Sequence, residues 1–356
     1  MTPDNKKRLR IGILFGGRSG EHEVSLASAA SVIRGLDPDK YEAVPIGITK
    51  EGHWLIGAGA QKMLPEVLKG GQRVMMTADP TDAALVKLDG SGGGQRIDIV
   101  FPVMHGTFGE DGTVQGLLEL AGLPYVGSDV LSSAAAMDKA VTKKLCLQAG
   151  LPVVPHIVLS RMSFNPNIPF GFPMFVKPAN LGSSVGIRKV KNSRELTEAL
   201  EHAAQYDRKI LVERGVVGRE FECGVLAAAD TKASVPCEVI PSQEFYTYED
   251  KYLLDKARIE LPAKLSPEQT SEMQRLAIAC FEAIGCEGMA RVDFLMEAAT
   301  GQIYINEINT IPGFTSISMY PKMFEYTGIP YAELLDILIE SALRRAESRL
   351  QTQYSR

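Results

Sequence analysis

The sequence has few cysteines and no spacing that would pair them. Its five cysteines are scattered over 356 residues, their number is odd, and no two form a C-x-x-C motif. Disulfide frameworks and cysteine zinc sites both need paired or closely spaced cysteines. The sequence therefore argues against both and favours reduced thiols.

Positive charge is also scarce, because 38 Lys and Arg stand against 43 Asp and Glu, for a net charge of −5. Binding to nucleic acid or to an anionic membrane needs a basic face, so we expect neither, although a local basic pocket is compatible with this charge. No apolar run approaches the ~18 residues of a membrane helix, and the polar N-terminus has no apolar leader. These absences predict a cytoplasmic protein.

What is present is the composition of a globular protein, with 45% hydrophobic and 23% charged residues. A chain of 356 residues exceeds the usual size of one hydrophobic core, which predicts two or three domains. Strand-like residues 9–15 run into a glycine turn and then a helix over residues 21–36. A second unit follows, with a strand at 97–103 and a helix at 113–121. Such units predict an α/β fold with parallel strands.

Residues typical of helix ends predict two later helices. The pattern predicts one helix over residues 132–149, ended by Gly150 and Pro152. Ser266, Pro267 and Gln269 form an N-cap, a proline at N1 and a capping-box residue for a helix that ends at Gly285.

An acid pair near the C-terminus gives the best single indication of chemistry. Asp293 and Glu307 each end a short segment rich in Val, Ile, Phe and Tyr, the composition of a strand, with a turn at residues 298–302 between them. Two neighbouring strands would bring Asp293, Glu307 and Asn309 together as oxygen ligands. Mg²⁺ usually takes one or two protein carboxylates and completes its shell with phosphate and water. The hairpin therefore predicts a magnesium site for phosphoryl chemistry.

Two glycine-rich loops in the N-terminal part each allow two interpretations. The turn at residues 16–20 is either an ordinary strand-to-helix turn or a binding loop, in which Glu21 complements the helix dipole or pairs with a substrate ammonium group. The loop at residues 105–112 follows a buried strand, where open α/β sheets place their ligand crevice. Its alternative is a glycine-rich turn in which Asp111 caps the next helix.

Two further loops also allow two interpretations each. Lys177 precedes a loop with Gly182, Ser183 and Gly186, whose backbone N–H groups and hydroxyl suit phosphate oxygens. It lacks the Walker A ending, and a solvated hairpin loop is the alternative. Residues 246–252 are polar and aromatic without periodicity, and form either a surface loop or an active-site lid.

Taken together, these segments resemble the D-alanine–D-alanine ligases, a family of ATP-grasp ligases. The motifs occur in family order and cover nearly the whole chain: GGRSGEHEVS at 16–25, HGTFGEDG at 105–112, MDK at 137–139, VKP at 176–178, GSSVG at 182–186, GMARVD at 288–293 and NEINTIPG at 306–313.

The resemblance implies a mixed α/β fold of three domains, with ATP between the central and C-terminal ones. We expect an N-terminal Rossmann-like domain at residues 1–138, a central ATP-grasp subdomain at 139–219 and a C-terminal one at 220–356, with a lid at about 242–262. The cofactors it implies are ATP and two Mg²⁺ ions, for which Mn²⁺ substitutes, and the implied assembly is a homodimer.

Carried over by motif, the resemblance assigns three sets of residues. ATP would be held by Lys139, Phe175, Lys177, Ser184, Glu213, the Val216 backbone, Glu220, Phe245, Lys251 and Leu295. The metal ions would be held by Asp293, Glu307 and Asn309. The substrates and the reacting atoms would be contacted by Glu21, His105, Ser183, Lys251, Tyr252, Arg291, Gly313, Ser318 and Met319.

Within the third set, Glu21 is implied to hold the ammonium group of the first alanine, with Ser183 and Tyr252 in one hydrogen-bonded set. Arg291 and the Gly313 N–H match the oxyanion donors, and Ser318 matches the contact to the carboxylate of the second alanine. The tyrosine at 252 goes with dipeptide formation in the resemblance, and a phenylalanine there with depsipeptide formation.

Two features depart from the family pattern. Met319 stands where many relatives carry leucine, which affects only the shape of the second subsite. Residues 49–94 form a longer stretch than in the shortest relatives and carry no usable motif.

The implied reaction joins two D-alanines through an acylphosphate, for peptidoglycan precursor synthesis. Two rival hypotheses remain from the sequence: an ATP-grasp ligase with other substrates, and a non-catalytic nucleotide-binding protein of the same fold. The motif lysines, Arg291 and the metal-binding residues argue against the second.

Overall fold

The fold is built on three β-sheets, as a computed structural model of the chain shows. The structure describes residues 7–57, 64–81, 84–91, 94–162, 167–183, 185–240 and 258–353.

The first sheet has seven strands in the order β6-β5-β4-β3-β2-β1-β7. Its part of the chain runs through β1 (Leu9–Gly16), α1 (His22–Gly35), β2 (Tyr41–Ile48), β3 (Trp54–Ile56), α2 (Leu64–Gly70), β4 (Gln72–Met76), β5 (Ala84–Lys87), β6 (Gln95–Arg96), β7 (Ile99–Pro102), α3 (Thr113–Leu120) and α4 (Val130–Met137). Strand β1 pairs in parallel with β2 and β7, as the predicted strand–turn–helix units require. Strands β3 to β5, within the stretch that carried no motif, and β6, directly after it, extend this sheet by antiparallel pairing.

The second sheet is antiparallel throughout and has the order β10-β9-β11-β8. It follows helix α5 (Lys139–Gln148) and comprises β8 (His156–Ser160), β9 (Met174–Pro178), β10 (Arg188–Val190), α6 (Ser193–Ala203) and β11 (Lys209–Arg214). Helix α6 covers one face of the sheet, where Leu200 packs with Val176 and Val212. The residues that alternate with these in β9 and β11 lie on the other face and are available for a site.

The third sheet has the order β15-β14-β12-β16-β17, with β13 also paired to β12. Its elements are β12 (Gly218–Ala227), β13 (Thr231–Ala233), β14 (Cys237–Ile240), β15 (Arg258–Glu260), α7 (Pro267–Ile284), β16 (Met289–Glu297), β17 (Ile303–Asn309), α8 (Met319–Tyr326) and α9 (Tyr331–Leu350). The predicted capping box of α7 is confirmed, because Gln269 N donates to Ser266 Oγ and Ser266 N to Gln269 Oε1. Gly285 ends the helix in the left-handed conformation, φ 76°.

The C-terminal helix ties the end of the chain to its beginning. Leu334, Leu335 and Leu338 of α9 lie in one hydrophobic core with Ile11 of β1 and Val32 of α1. Because this core joins residues far apart in sequence, the segment at residues 310–318, which precedes α8, is held against the first sheet.

One predicted helix was wrong in its extent. Residues 132–149 do not form a single helix, because Asp138 is extended and divides them into α4 and α5. The Asp138 carboxylate accepts hydrogen bonds from the backbone N–H of Ala140 and Val141, at 3.0 and 3.1 Å, and so caps α5. The break places Lys139 in the first turn of α5.

The first predicted domain limit, after residue 138, falls at this break. The second, after residue 219, falls two residues inside β12. The three-domain division stays a prediction. Within the described ranges, no helix combines the length and apolar composition needed to cross a membrane.

Candidate active site

The predicted acid hairpin is present. Strands β16 and β17 are antiparallel neighbours, with Asp293 opposite Glu307 and Arg291 opposite Asn309. Directly opposed residues share a face, as do residues two apart in one strand, so all four side chains lie on one face of the sheet. The alternate residues Val292 and Phe294 are buried on the other face. Asp293 lies in the middle of its strand rather than at the end that we expected.

A third strand extends this acidic row. Glu222 of β12 lies opposite Asp293 on the other side of β16, so Glu222, Asp293 and Glu307 are aligned across three strands. Arg291 lies among them, with Nε and Nη2 donating to Asp293 at 2.6 and 2.7 Å and Nε 3.5 Å from Glu222. Burial alone would lower the pKa of Arg291, but Asp293 and Glu222 raise it well above its usual value. We call Glu222, Arg291, Asp293 and Glu307 the acid wall.

A group of lysines from α5 and β9 faces the acid wall. Lys143 Nζ and Lys177 Nζ lie 2.7 and 2.6 Å from the two carboxylate oxygens of Glu213, and all three side chains are at most 10% exposed. Burial would raise the pKa of Glu213, but the two lysines hold it down at about 2. Lys139, in the first turn of α5, donates to Leu181 O at 2.7 Å. We call Lys139, Lys143, Lys177 and Glu213 the lysine wall.

A β-bulge brings the two walls into contact. The register of β16 and β17 shifts between Asp293 and Phe294, which leaves Asn306 as an extra residue in β17. Lys177 Nζ donates to Asn306 Oδ1 at 3.3 Å, and Lys143 Nζ donates to the Asn306 carbonyl at 3.4 Å. Lys139 Nζ lies 3.4 Å from Glu307 Oε2. Cations of α5 and the second sheet therefore meet carboxylates of the third sheet, and we call this junction the cleft.

The described members of the predicted nucleotide set lie along this cleft. Phe175 is opposite Glu213 in the second sheet, and its ring centroid is 5.9 Å from Lys177 Nζ. Glu220 and Leu295 are opposite each other in the third sheet, one step along the face that carries Glu222 and Asp293. Val216 lies in the connection between β11 and β12. The structure thus gathers these residues, while their contacts to a nucleotide stay a prediction.

Glu21 comes to the cleft from the first sheet. Its Oε1 accepts a 2.5 Å hydrogen bond from Ser183 Oγ, across 162 residues of sequence. A methyl group added at Gly106 would lie 3.0 Å from Glu21 Oε2, and one at Gly182 would lie 3.5 Å from it. The loops of Gly106 and Gly182 therefore both lie against Glu21, and its binding of an ammonium group stays a prediction.

The polar groups of the loop that begins at His105 form hydrogen bonds with other groups of the protein, mostly within the loop itself. The His105 ring is buried, and its Nδ1 lies 3.0 Å from Ile311 O. Glu110 accepts from Gly106 N at 2.7 Å, and burial raises its pKa well above the usual value. Asp111 accepts from the backbone N–H of Thr113, the first residue of α3, so the capping alternative describes that side chain.

The segment after β17, residues 310–318, carries the predicted site residues Gly313 and Ser318. Thr315 N donates to Ser318 Oγ at 3.0 Å, and a methyl group at Gly313 would lie only 2.6 Å from Ser318 Oγ. Only glycine fits at 313 without moving this hydroxyl. Met319 begins α8 immediately afterwards.

Four predicted site residues lie outside the described residues: Ser184, Phe245, Lys251 and Tyr252. The predicted lid lies outside them up to residue 257, and its last residues lie in and just after β15.

The sequence interpretation missed Lys143 and Glu222. Lys143 follows Lys139 by four residues and therefore shares its side of the helix, a signal that was available. Glu222 follows Glu220 by two residues on a strand, which puts both on the same face. The Asn306 bulge has no such local signal.

The charge distribution of the cleft suits a phosphate–metal pair. Lysines in low-dielectric surroundings attract phosphate oxygens, and carboxylate and amide oxygens are the ligands of Mg²⁺. Within the described part of the chain, no cluster of three or more His, Cys, Asp or Glu residues is arranged to hold a metal ion. The oxygens of Asp293, Glu307 and Asn309 still fit Mg²⁺, because this ion needs only one or two protein carboxylates when phosphate supplies the rest.

Comparison with known proteins finds family models that match the N-terminal and the C-terminal parts of the chain. The model of the D-ala D-ala ligase N-terminus matches residues 10–128, and that of the D-ala D-ala ligase C-terminus matches residues 145–340. A D-alanine–D-alanine ligase of Solibacter usitatus is 52% identical over 98% of this chain and 100% of its own length.

Two solved structures share the fold. The D-alanine–D-alanine ligase of Coxiella burnetii has a TM-score of 0.86 at 38% identity, over 97% of this chain and 96% of its own. The enzyme of Bacillus anthracis, solved in complex with ATP, has a TM-score of 0.73 at 30% identity, over 96% of this chain and 99% of its own. The predicted mixed α/β ATP-grasp fold is confirmed, and the chain belongs to the D-alanine–D-alanine ligase family.

Proposed function

We propose that the chain joins two D-alanines to D-alanyl-D-alanine, with ATP as the source of phosphoryl and an acylphosphate as the intermediate. D-Ala–D-Ala ligation for peptidoglycan synthesis is the activity that its family membership supports. The observation that carries the mechanism is the contact of the lysine wall with β17 of the third sheet, at Lys177–Asn306 and Lys139–Glu307. In this proposal, the lysine wall binds phosphate and the adjacent acid wall binds metal ions.

The first step activates a carboxylate that is otherwise a poor electrophile. Its negative charge repels an amine, and oxide would have to leave. Attack of a carboxylate oxygen of the first D-alanine on the γ-phosphorus of ATP breaks the bond to ADP and gives an acylphosphate. Lys139 and Lys177 neutralise charge on the phosphoryl oxygens as that bond breaks. The Lys251 assignment, which lies outside the described residues, adds a third cation from the lid.

The metal ions belong to the acid wall. Asp293, Glu307 and Asn309 would hold two Mg²⁺ ions, with Mn²⁺ as a substitute, and the ions would supply Lewis-acid stabilisation of the phosphoryl oxygens. Asp293 is bound by Arg291 in the structure, so this carboxylate has to exchange part of its hydrogen bonding when a metal ion binds.

The second step makes the peptide bond. The amine of the second D-alanine attacks the acylphosphate carbon, a tetrahedral oxyanion forms, and phosphate leaves with the electron pair of the C–O bond. In this proposal, Arg291 and the Gly313 N–H stabilise that oxyanion. Loss of one such donor typically costs roughly 10²–10³ in rate.

Two subsites bind the alanines in this proposal. Glu21, hydrogen-bonded to Ser183, binds the ammonium group of the first alanine, and Tyr252 completes that set. Ser318, close to Gly313, contacts the carboxylate of the second alanine, and Met319 shapes the pocket beside it.

The nucleotide base and ribose lie further along the cleft. Glu213, the Val216 backbone and Glu220 contact adenine and ribose in this proposal. Apolar and neutral contacts complete the nucleotide site, from Phe175, Ser184, Phe245 and Leu295.

Isotope transfer tests the acylphosphate directly. D-alanine labelled with ¹⁸O in its carboxylate should deliver one ¹⁸O atom to inorganic phosphate for each dipeptide, because the oxygen that attacks the γ-phosphorus leaves with it. Recovery of the label in AMP, or its absence from phosphate during turnover, would contradict the mechanism. Mass identification of the product formed with D-alanine, D-lactate and L-amino acids present together tests the substrate assignment.

The remaining assignments are proposals of the same kind. We infer a homodimer, for which exposed leucines on three successive helices provide apolar surface: Leu120 in α3, Leu131 in α4 and Leu147 in α5. Sedimentation analysis of Leu131→Lys against the unaltered chain tests this. We further infer three domains at residues 1–138, 139–219 and 220–356, and a cytoplasmic location, where ATP is available.

A further inference from the structure

A chain of buried hydrogen bonds joins helix α1 to the segment that carries Gly313. Ser28 Oγ lies 3.0 Å from His105 Nε2 and accepts a hydrogen bond from the Phe314 N–H at 3.2 Å. The other ring nitrogen of His105, Nδ1, lies 3.0 Å from Ile311 O. All four residues are at most 4% exposed. The chain therefore connects three separate segments of sequence without solvent.

The direction of each hydrogen bond follows from what the groups can donate. Ile311 O is a carbonyl and only accepts, so His105 Nδ1 carries the proton. Burial lowers the pKa of His105, although Glu21 and the Ile311 carbonyl act in the opposite sense, and this direction favours the neutral ring. A neutral ring protonated at Nδ1 has a bare Nε2, which accepts from the Ser28 hydroxyl. The Ser28 oxygen in turn accepts from Phe314 N–H.

These bonds fix the backbone on both sides of Gly313. The Ile311 carbonyl is held two residues before it, and the Phe314 N–H immediately after it. Phe314 is fixed further, because Tyr331 Oη donates to its carbonyl at 3.2 Å and its ring packs edge-on against Phe101 at 5.7 Å. The peptide that presents the Gly313 N–H therefore has little freedom to rotate.

We propose that Ser28 is a positioning residue for the ligation reaction: its hydroxyl selects the Nδ1–H tautomer of His105, and together they set the direction of the Gly313 N–H. Both ring nitrogens of His105 are then engaged by the protein, so His105 acts through the 311–314 segment and not as a base on the substrate. The kinetic part of this inference rests on the proposed oxyanion role of Gly313, while the tautomer is independent of it.

The chain offers a matched control on the same helix. Ser25 is as buried as Ser28, and its Oγ also makes two hydrogen bonds, donating to Val103 O at 2.6 Å and accepting from Gly16 N at 2.8 Å. These partners all lie in the first sheet or directly after it, far from residues 311–314 in sequence. Ser25→Ala therefore removes the same type of buried hydroxyl without touching the Gly313 segment.

The first measurement is the tautomer of His105 in the intact protein. In histidine-¹⁵N-labelled protein, with the signal assigned by its loss in His105→Gln, we expect the protonated nitrogen to be Nδ1 in the unaltered chain and in Ser25→Ala. In Ser28→Ala, Nε2 loses its donor, and we expect the signal to move away from the pure Nδ1–H pattern. An Nε2–H ring in the unaltered chain, or an unchanged pattern in Ser28→Ala, would overturn the inference.

The second measurement separates kcat from KM in D-alanine ligation. Ser28→Ala should lower kcat by about 10- to 100-fold, less than complete loss of an oxyanion donor, with the KM for ATP unchanged within about threefold. Ser28→Thr, which restores the hydroxyl, should recover most of that loss, and Ser25→Ala should keep kcat within about threefold. Equal losses in Ser28→Ala and Ser25→Ala would reduce Ser28 to a structural role. If the unaltered chain forms no D-alanyl-D-alanine, the proposed function fails, and the tautomer measurement still decides the role of Ser28.

Discussion

The two walls of the cleft have the same design with the charges reversed. In the lysine wall, Lys143 and Lys177 hold one buried carboxylate, Glu213, between them, and Lys139 lies one helical turn from Lys143 on α5. In the acid wall, three carboxylates, Glu222, Asp293 and Glu307, surround one buried guanidinium, Arg291.

The central residue of each wall has the same electrostatic task. Several like charges in a low-dielectric cleft repel one another, and one opposite charge among them reduces that repulsion. It does so without neutralising the wall, because three charges outnumber one. The lysine wall keeps a surplus of positive charge for phosphate, and the acid wall keeps a surplus of negative charge for metal ions.

The two central residues differ in what else they can do. Each of the two oxygens of Glu213 forms an ion pair with one lysine. Arg291 has five N–H donors, of which Asp293 takes two, so donors remain for a substrate oxyanion. In the proposed mechanism, the acid wall therefore carries a catalytic group at its centre, whereas the centre of the lysine wall serves binding and stability.

The largest effect expected from this difference follows removal of Arg291. Arg291→Ala should lower ligation turnover by about 10²–10³, because an oxyanion donor is lost, while ATP is still bound. Turnover by phosphate release and ATP affinity by calorimetry measure the two parts. Arg219→Ala is the matched control, since Arg219 makes the same two-point contact with Glu238 elsewhere in the third sheet. Full activity of Arg291→Ala would refute the oxyanion role.

A smaller effect is expected at the lysine wall. Lys143→Met leaves Glu213 with one cation, so we expect the KM for ATP to rise about tenfold and the unfolding free energy to fall by about 2–3 kcal/mol, with kcat little changed. Lys143→Arg, which keeps the charge, should recover part of both. Lys209→Met breaks the neighbouring ion pair with Asp138, which is more exposed, and should change the KM much less. A fall in kcat with unchanged KM in Lys143→Met would contradict the assignment of binding to the lysine wall and catalysis to the acid wall.

The pH dependence of stability tests the charge at the centre of the lysine wall. The folded-state pKa of Glu213 is about 2, below its ordinary 4.5. A depressed carboxylate pKa contributes stability that is complete above the ordinary value and lost as pH falls through the folded value. The unfolding free energy of the unaltered chain should therefore exceed that of Glu213→Gln at neutral pH, by a difference that shrinks between pH 4.5 and about 2. A difference that is constant over this window would mean that Glu213 is not a paired carboxylate.

The smallest effect is expected outside both walls. Ser266→Ala removes the N-cap of α7 and should lower the unfolding free energy by about 1 kcal/mol, with kcat and both KM values unchanged. Thermal unfolding and steady-state kinetics on one preparation measure this. A loss of activity here would indicate that stability alone, and not the charge of the walls, governs turnover.

Local patterns predicted much of the fold and of the acid wall. Alternating apolar residues and a short turn specify the β16–β17 hairpin, whereas the register that sets Asp293 opposite Glu307 also depends on the bulge at Asn306. The capping box of α7 is equally local. The break at Asp138 was missed although aspartate is a good N-cap, because small and apolar residues continue helically through it.

The rest depends on contacts between distant segments. Glu213 is paired with lysines from another strand and from α5, and the Asn306 bulge that meets them follows from strand pairing rather than from residue type. Ser28 and Phe314, 286 residues apart, meet only because α1 packs in the same core as α9. No pattern within one segment indicates such a pair.

The most direct test of the two-wall account is ATP affinity measured with and without Mg²⁺ in Lys177→Met and Asp293→Asn. Lys177→Met should weaken ATP binding by about tenfold or more in both conditions, because a phosphate contact is lost. Asp293→Asn should leave metal-free ATP binding within about threefold and remove most of the gain that Mg²⁺ provides. If Asp293→Asn weakens metal-free binding as much as Lys177→Met does, the walls do not separate phosphate from metal, and the account is contradicted.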